Sequence, residues 1–113
     1  MTAKLIYVTA GSAAEAEAIA GQVVEQRLAA CANILGKATS IYWWQDKLNK
    51  DSETVFILKT TTELVEQAVT KIIELHSYDC PAVVVLNIEH GNPEFLKWID
   101  KNKVLLTFTQ NSA

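Results

Sequence analysis

The chain has 113 residues, half of them apolar, enough to bury one core without disulfide or metal staples, so a single domain over residues 1–113 is expected. Its formal net charge of −3, with acidic and basic residues interspersed, provides no basic stripe, which argues against nucleic acid or a membrane surface as partner. No apolar run has the length of a membrane-spanning helix, the first residues lead into a strand-like run instead of a signal-peptide core, and Cys31 and Cys80 form no C-x-x-C motif; a cytoplasmic protein with two reduced thiols is the expectation.

Residues 4–10 are β-branched and aromatic and close on Gly11, as a central strand would. Ser12 with Glu15 is a capping-box signature, and Ala16, Ile19, Ala20, Val23, Val24 and Leu28 follow at helical spacing, predicting a first helix that ends near residue 28 or 29. Residues 32–48 read as a strand with a bend or bulge at Gly36, a turn is predicted at 49–51, and 54–60 return as the second arm of a hairpin. Thr60 and Glu63 repeat the capping-box spacing before a second helix marked by Leu64, Val65, Ala68, Val69, Ile72 and Leu75 and ending near His76. Beyond Cys80 and Pro81, residues 82–88 form a nearly continuous apolar run of the kind buried on both faces of a sheet. Asn92 as N-cap with Pro93 at the first helical position opens a short third helix carrying Phe95, Leu96, Trp98 and Ile99, and residues 104–108 read as a last strand.

Strand, helix, strand, strand, helix, strand is the split βαβ order, which predicts an α+β, ferredoxin-like sandwich: both helices on one face of an antiparallel sheet, a long projecting hairpin and a short C-terminal helix. Neighbouring residues on a strand point to opposite faces, so Trp43 and Trp44 cannot enter the same core. Fourteen or so extended residues would reach about 45 Å, beyond the ~35 Å width of a compact domain of this size. An aromatic arm of that kind is an aggregation hazard unless another subunit covers it, and symmetric self-association is the expected solution, the alternative being a strand that folds back at Gly36.

Five segments then occur together: Leu28-Ala29-Ala30-Cys31-Ala32-Asn33-Ile34; Ser40-Ile41-Tyr42-Trp43-Trp44; Glu53 with Leu58-Lys59-Thr60; His76 with Tyr78 and Pro81; and Gly91 with Phe95, Leu96, Trp98 and Ile99. In this order and separation they resemble the CutA divalent-cation-tolerance family. The resemblance implies a ferredoxin-like subunit in a homotrimer, similar in architecture to the nitrogen-regulatory signalling trimers of the PII type, and a link to copper or related divalent ions without an established catalytic activity. It makes Tyr42, Trp43, Trp44 and Trp98 interface candidates. Val8 and Leu75 stand where some members carry a cysteine and a second histidine, and Gln45-Asp46 replaces the customary Glu-Gly.

His76, Asp79 and Cys80 lie within five residues and bring imidazole, carboxylate and thiolate donors suited to copper or zinc, although their spacing matches no standard closed site. The alternative is a helix-terminal histidine bonded to nearby carbonyls beside a small buried thiol. Cys31, among alanines, reads as a small core residue, and His90 as a solvated turn residue. Lys59, at the end of an apolar strand, needs a partner for its ammonium, for which Glu53 is available. Lys59, Glu53, Tyr78 and Trp44 would either line a cleft between subunits that holds a small anionic or planar ligand, or form a buried ion pair with packed aromatics. With no G-x-S-x-G, H-E-x-x-H, Walker or G-x-G-x-x-G motif, an enzyme is not expected, nor an organic cofactor. Two functional readings follow: a metal-responsive binding protein, or a trimeric signalling or interaction module with ligand clefts and a partner yet to be named.

Overall fold

The computed structural model describes residues 2–102. Strands β1 (Ala3–Ala10), β2 (Cys31–Trp44), β3 (Lys47–Thr61) and β4 (Val83–Ile88) form one antiparallel sheet in the order β2-β3-β1-β4. Helices α1 (Ala13–Glu25) and α2 (Val65–Leu75) cover one face, and α3 (Pro93–Lys101) follows β4. This is the expected ferredoxin-like arrangement. The strand predicted at 104–108 lies outside the described residues.

The core is built from one side of each central strand. Ile6, Val8 and Ala10 of β1 and Phe56 and Leu58 of β3 face Ala16, Ile19, Ala20 and Val23 of α1 and Ala68 and Ile72 of α2, all nearly or fully buried. The antiparallel register sets Ile6 opposite Leu58 and Val8 opposite Phe56, so each cross-strand pair points under the helices. Lys59 faces the other way, and its ammonium lies 5.8 Å from the centre of the Phe95 ring, which puts α3 on the opposite face of the sheet. There Ile99 is buried.

The Ser12 half of the predicted capping box forms at the start of α1, the Glu15 amide donating to Ser12 Oγ at 3.1 Å, while the Glu15 carboxylate accepts from the Gly11 and Ser77 amides. The helix ends earlier than the apolar spacing suggests. Arg27 takes a left-handed conformation (φ 59°), its amide donates to the Val24 carbonyl, and the Leu28 amide donates to the Val23 carbonyl. That pair of bonds is a Schellman ending, which brings Leu28 back onto the core although the helix has stopped. The capping box predicted for α2 does not form: the N-cap position is Leu64, without a side-chain cap. Thr60 is still in β3, and its hydroxyl donates to the Leu28 carbonyl at 2.7 Å, while that of Thr62 donates to the Thr2 carbonyl at 3.1 Å.

The long hairpin forms as expected, but its turn lies at Gln45-Asp46, not at residues 49–51, so the first arm ends at Trp44 and the second begins at Lys47. Both turn residues have positive φ (50° and 61°), the requirement of a two-residue type I′ connection, and they pin Trp44 opposite Lys47. Asn49 and Asp51 are turn-like in type but sit in β3, where Asp51 accepts the Tyr42 hydroxyl and Asn49 donates to the Lys47 carbonyl. At Gly36 (φ 113°) the register of β2 against β3 shifts, confirming the bulge expected there. β1 pairs with β3 only from Thr54 onward, so the part of the hairpin beyond it is a two-stranded arm, and the molecule measures 51 Å along its longest axis.

Candidate functional site

At the end of β1 a polar network joins α1, the segment after α2 and the base of the arm. His76 follows the last residue of α2, and its side chain is fully buried. Its Nδ1 accepts from the Tyr78 amide at 3.1 Å, so the proton of the neutral ring sits on Nε2, which donates to the Thr9 carbonyl at 2.7 Å. Glu15 lies beside it, with Oε2 3.8 Å from Nδ1. The same carboxylate accepts from the Ser77 amide at 2.8 Å and the Gly11 amide at 3.3 Å. Burial pulls its pKa up, but the hydrogen bonds from Ser77 and Gly11 outweigh that and leave it below the usual carboxylate value. Glu15 therefore does more than the helix capping its sequence position announces; it ties the start of α1 to the turn after α2.

The Tyr78 ring packs against His76 at 4.6 Å between centroids, and its hydroxyl donates to Glu53 Oε2 at 3.2 Å. Partial burial, then the charge and hydrogen bond of Glu53, push the Tyr78 hydroxyl up to about 12. Two residues along β3, Asp51 accepts the Tyr42 hydroxyl, a bond that raises the pKa of Tyr42 as well. Strand periodicity puts Asp51, Glu53 and Lys59 on one face of β3, the face away from the core.

The residues expected to act together are placed as follows. Glu53 and Tyr78 are joined directly. Lys59 is not paired with Glu53, six residues away on the same strand; it donates to Asn33 Oδ1 at 2.5 Å and lies over Phe95. Trp44 is at the tip of the arm and 58% exposed, Trp43 72%. Tyr42, Ile41 and Leu48 are also exposed on the arm, and Trp98 stacks on Phe95 at 5.6 Å. β4, read as buried on both faces, is an edge strand among the described residues, with Val84, Val85 and Leu86 exposed.

The three suggested metal donors do not come together within one chain. His76 has both nitrogens engaged, whereas Asp79 and Cys80 are exposed. Among the described residues no group of three His, Cys, Asp or Glu side chains is placed to hold an ion. The donor set therefore does not fit a resident metal in the single chain. Cys31, expected in the core, is half-buried at the start of β2 and outside the core cluster, and neither thiol forms a disulfide among the described residues. No helix among the described residues is long and apolar enough to cross a membrane.

Fold and network together define a small ferredoxin-like domain with a long aromatic arm and a braced, buried histidine. Residues 4–102 match the family described as CutA1 divalent ion tolerance protein. The chain belongs to that family. It is 39% identical over 99 residues to the divalent-cation tolerance protein CutA of Thermus thermophilus, covering 88% of this chain and 96% of that one. With the protein of the same name from Archaeoglobus fulgidus it shares 41% over 96 residues, covering 85% and 93%. It spans about half the length of the CutA proteins of rice and mouse, 54% and 52% respectively. Among solved structures, CutA1 of Oryza sativa superposes with a TM-score of 0.89 at 31% identity over 93% of this chain and 96% of that one. The Thermus thermophilus protein gives 0.87 at 38% over 90% and 99%.

Proposed function

We propose that this protein works as a non-catalytic homotrimer in the cytoplasm, and that its part in divalent-cation tolerance is exercised by the assembled surface instead of by a metal centre within one chain. The observation that carries this reading is the arm. Ile41, Tyr42, Trp43, Trp44 and Leu48 are 40–72% exposed on a two-stranded ribbon, which by itself is at best marginally stable in water. Covering it with a second copy removes that apolar surface from water and gives the ribbon further neighbours. The names of relatives support the cation link and describe tolerance proteins, not enzymes. Copper or a related ion would then meet Asp79 and Cys80 as exposed, incomplete donors, with modest affinity.

A second reading has its own observation. Glu53, held by Tyr78, and Lys59, held by Asn33, occupy the same outward face of β3, so assembly would enclose opposite charges and the aromatic arm of Trp44 in clefts between subunits. Such clefts suit a small anionic or planar ligand, as in a PII-like signalling trimer. Sedimentation equilibrium tests the assembly, and a monomer at micromolar concentration would overturn it. Titration calorimetry with copper and zinc separates the two readings: weak saturable heats that Cys80→Ser removes favour the cation link, and no heats at all favour the ligand cleft.

A further inference from the structure

The chain leaves α2 through a short segment whose first two backbone amides are held by side chains instead of by carbonyls. The Ser77 amide donates to Glu15 Oε2 at 2.8 Å and the Tyr78 amide to His76 Nδ1 at 3.1 Å. Residues 77–80 belong to neither a helix nor a strand, and all four are exposed. The Tyr78 ring is seated over Gly11, where a Cβ would come 3.4 Å from the hydroxyl, and that hydroxyl reaches Glu53 at the base of the arm. The imidazole beneath is different in kind. Its side chain is already fully buried within one chain, so assembly adds nothing to its burial.

We infer that His76 is a proton-operated latch: on taking up a proton from water, Nδ1 releases the Tyr78 amide and turns to Glu15, which frees residues 77–80, and with them the Tyr78–Glu53 tie to the arm, from the core. Imidazole is the side chain whose charge changes between pH 5 and 8. A ring nitrogen that carries a proton cannot accept another, so the bond from the Tyr78 amide is the one that fails. Nε2 keeps its proton in both states, and its bond to the Thr9 carbonyl at 2.7 Å is the pivot. The new donor finds Glu15 Oε2 at 3.8 Å, so a shift of about 1 Å makes a charge-assisted bond. Among the described contacts no cation faces the ring: Glu15 comes from α1, the Thr9 carbonyl from β1, and Glu53 from β3 through the Tyr78 hydroxyl. On its own side of the chain, Glu74 of α2 is paired with Lys71, and Asp79 and Cys80 are exposed. The Glu15 carboxyl, held below the usual carboxylate value, stays ionised while imidazoles titrate. Proton uptake therefore exchanges a neutral bond for an ion pair without leaving a bare charge in the core, and the loss falls on a surface segment.

The experiment follows the full chain by NMR, with a chelator present, from about pH 7.5 to about pH 5.5. Imidazole nitrogen shifts should show His76 passing from the Nε2–H form to the doubly protonated form, with the exposed His90 as internal reference. Over the same range the Tyr78 amide, corrected for the intrinsic pH dependence of exchange, should lose about tenfold or more of its protection. The Overhauser effect between the His76 and Tyr78 rings should weaken with it, while the amides of the fully buried Ile6 and Leu58 stay protected. Glu15→Gln, which withdraws the charge but keeps an acceptor oxygen, should move the midpoint down by about one pH unit. An imidazole that stays neutral at the acid end, or Tyr78 protection that is unchanged while the ring ionises, would overturn the inference. So would an unchanged midpoint in Glu15→Gln, or protection lost together at Ile6 and Leu58, which would be acid unfolding of the whole domain.

Discussion

Replacing His76 with alanine separates a structural brace from a metal ligand. The substitution removes a fully buried imidazole, deprives the Tyr78 amide of its acceptor and the Thr9 carbonyl of its donor. A buried backbone group left without a partner costs about 1–3 kcal/mol, so the two together, partly relieved by water entering the space, come to about 3 kcal/mol. At ~2.1 cal/mol/K per residue, 113 residues unfold with an entropy of about 0.24 kcal/mol/K, so the loss corresponds to a fall of roughly 12 °C in Tm. His76→Gln, which can satisfy one of the two partners, should fall about half as far. The assay is differential scanning calorimetry at fixed protein concentration, paired with copper titration of the same samples. Weak copper binding should survive the substitution and respond instead to Cys80→Ser. A fall of less than about 3 °C, or loss of copper binding at unchanged Tm, would refute the reasoning and restore His76 as a ligand.

Three further outcomes are expected. Trp44→Asp should disrupt assembly in sedimentation experiments while Lys4→Ala leaves it intact, because an unpaired carboxylate buried at an interface costs several kcal/mol and a surface lysine little; equal effects would remove the arm from the interface. Tyr78 should titrate near 12 in a phenolate absorbance titration read against Tyr78→Phe, and Glu53→Gln should bring it down by removing the charge. Since the raised pKa belongs to the folded state, its stabilising contribution is complete below pH about 10 and fades as pH climbs towards about 12. Glu15 has the opposite sign: its lowered pKa stabilises the fold above pH about 4.5 and that contribution is lost as pH falls further, so Glu15→Gln should flatten the acid limb of a urea-stability profile.

Much of the fold is local in origin, and for that reason could be read directly. Period-2 and helical spacing marked β1, α1, α2 and α3, Ser12 and Asn92 marked two helix starts, and Gly36 marked the bulge, since each depends on residues within a turn or two of one another. The five family segments pointed to the ferredoxin-like sheet and to CutA because they record the whole architecture in short stretches. The turn of the hairpin was hidden because Gln45 and Asp46 adopt positive φ without glycine, held there by the pairing of strands on either side. The early end of α1 was hidden because Leu28 keeps helical spacing while its contact is made through a Schellman ending. Above all, nothing in the local pattern told whether His76 would face a metal or the backbone. Its partners are Thr9, 67 residues earlier, and Tyr78, with Glu15 alongside, and only the packing of β1, α1 and the end of α2 brings them together. Sequence determined which side chains were available and which faces were apolar; tertiary structure decided which polar atoms were left free, because that depends on long-range hydrogen bonds whose partners no short window contains.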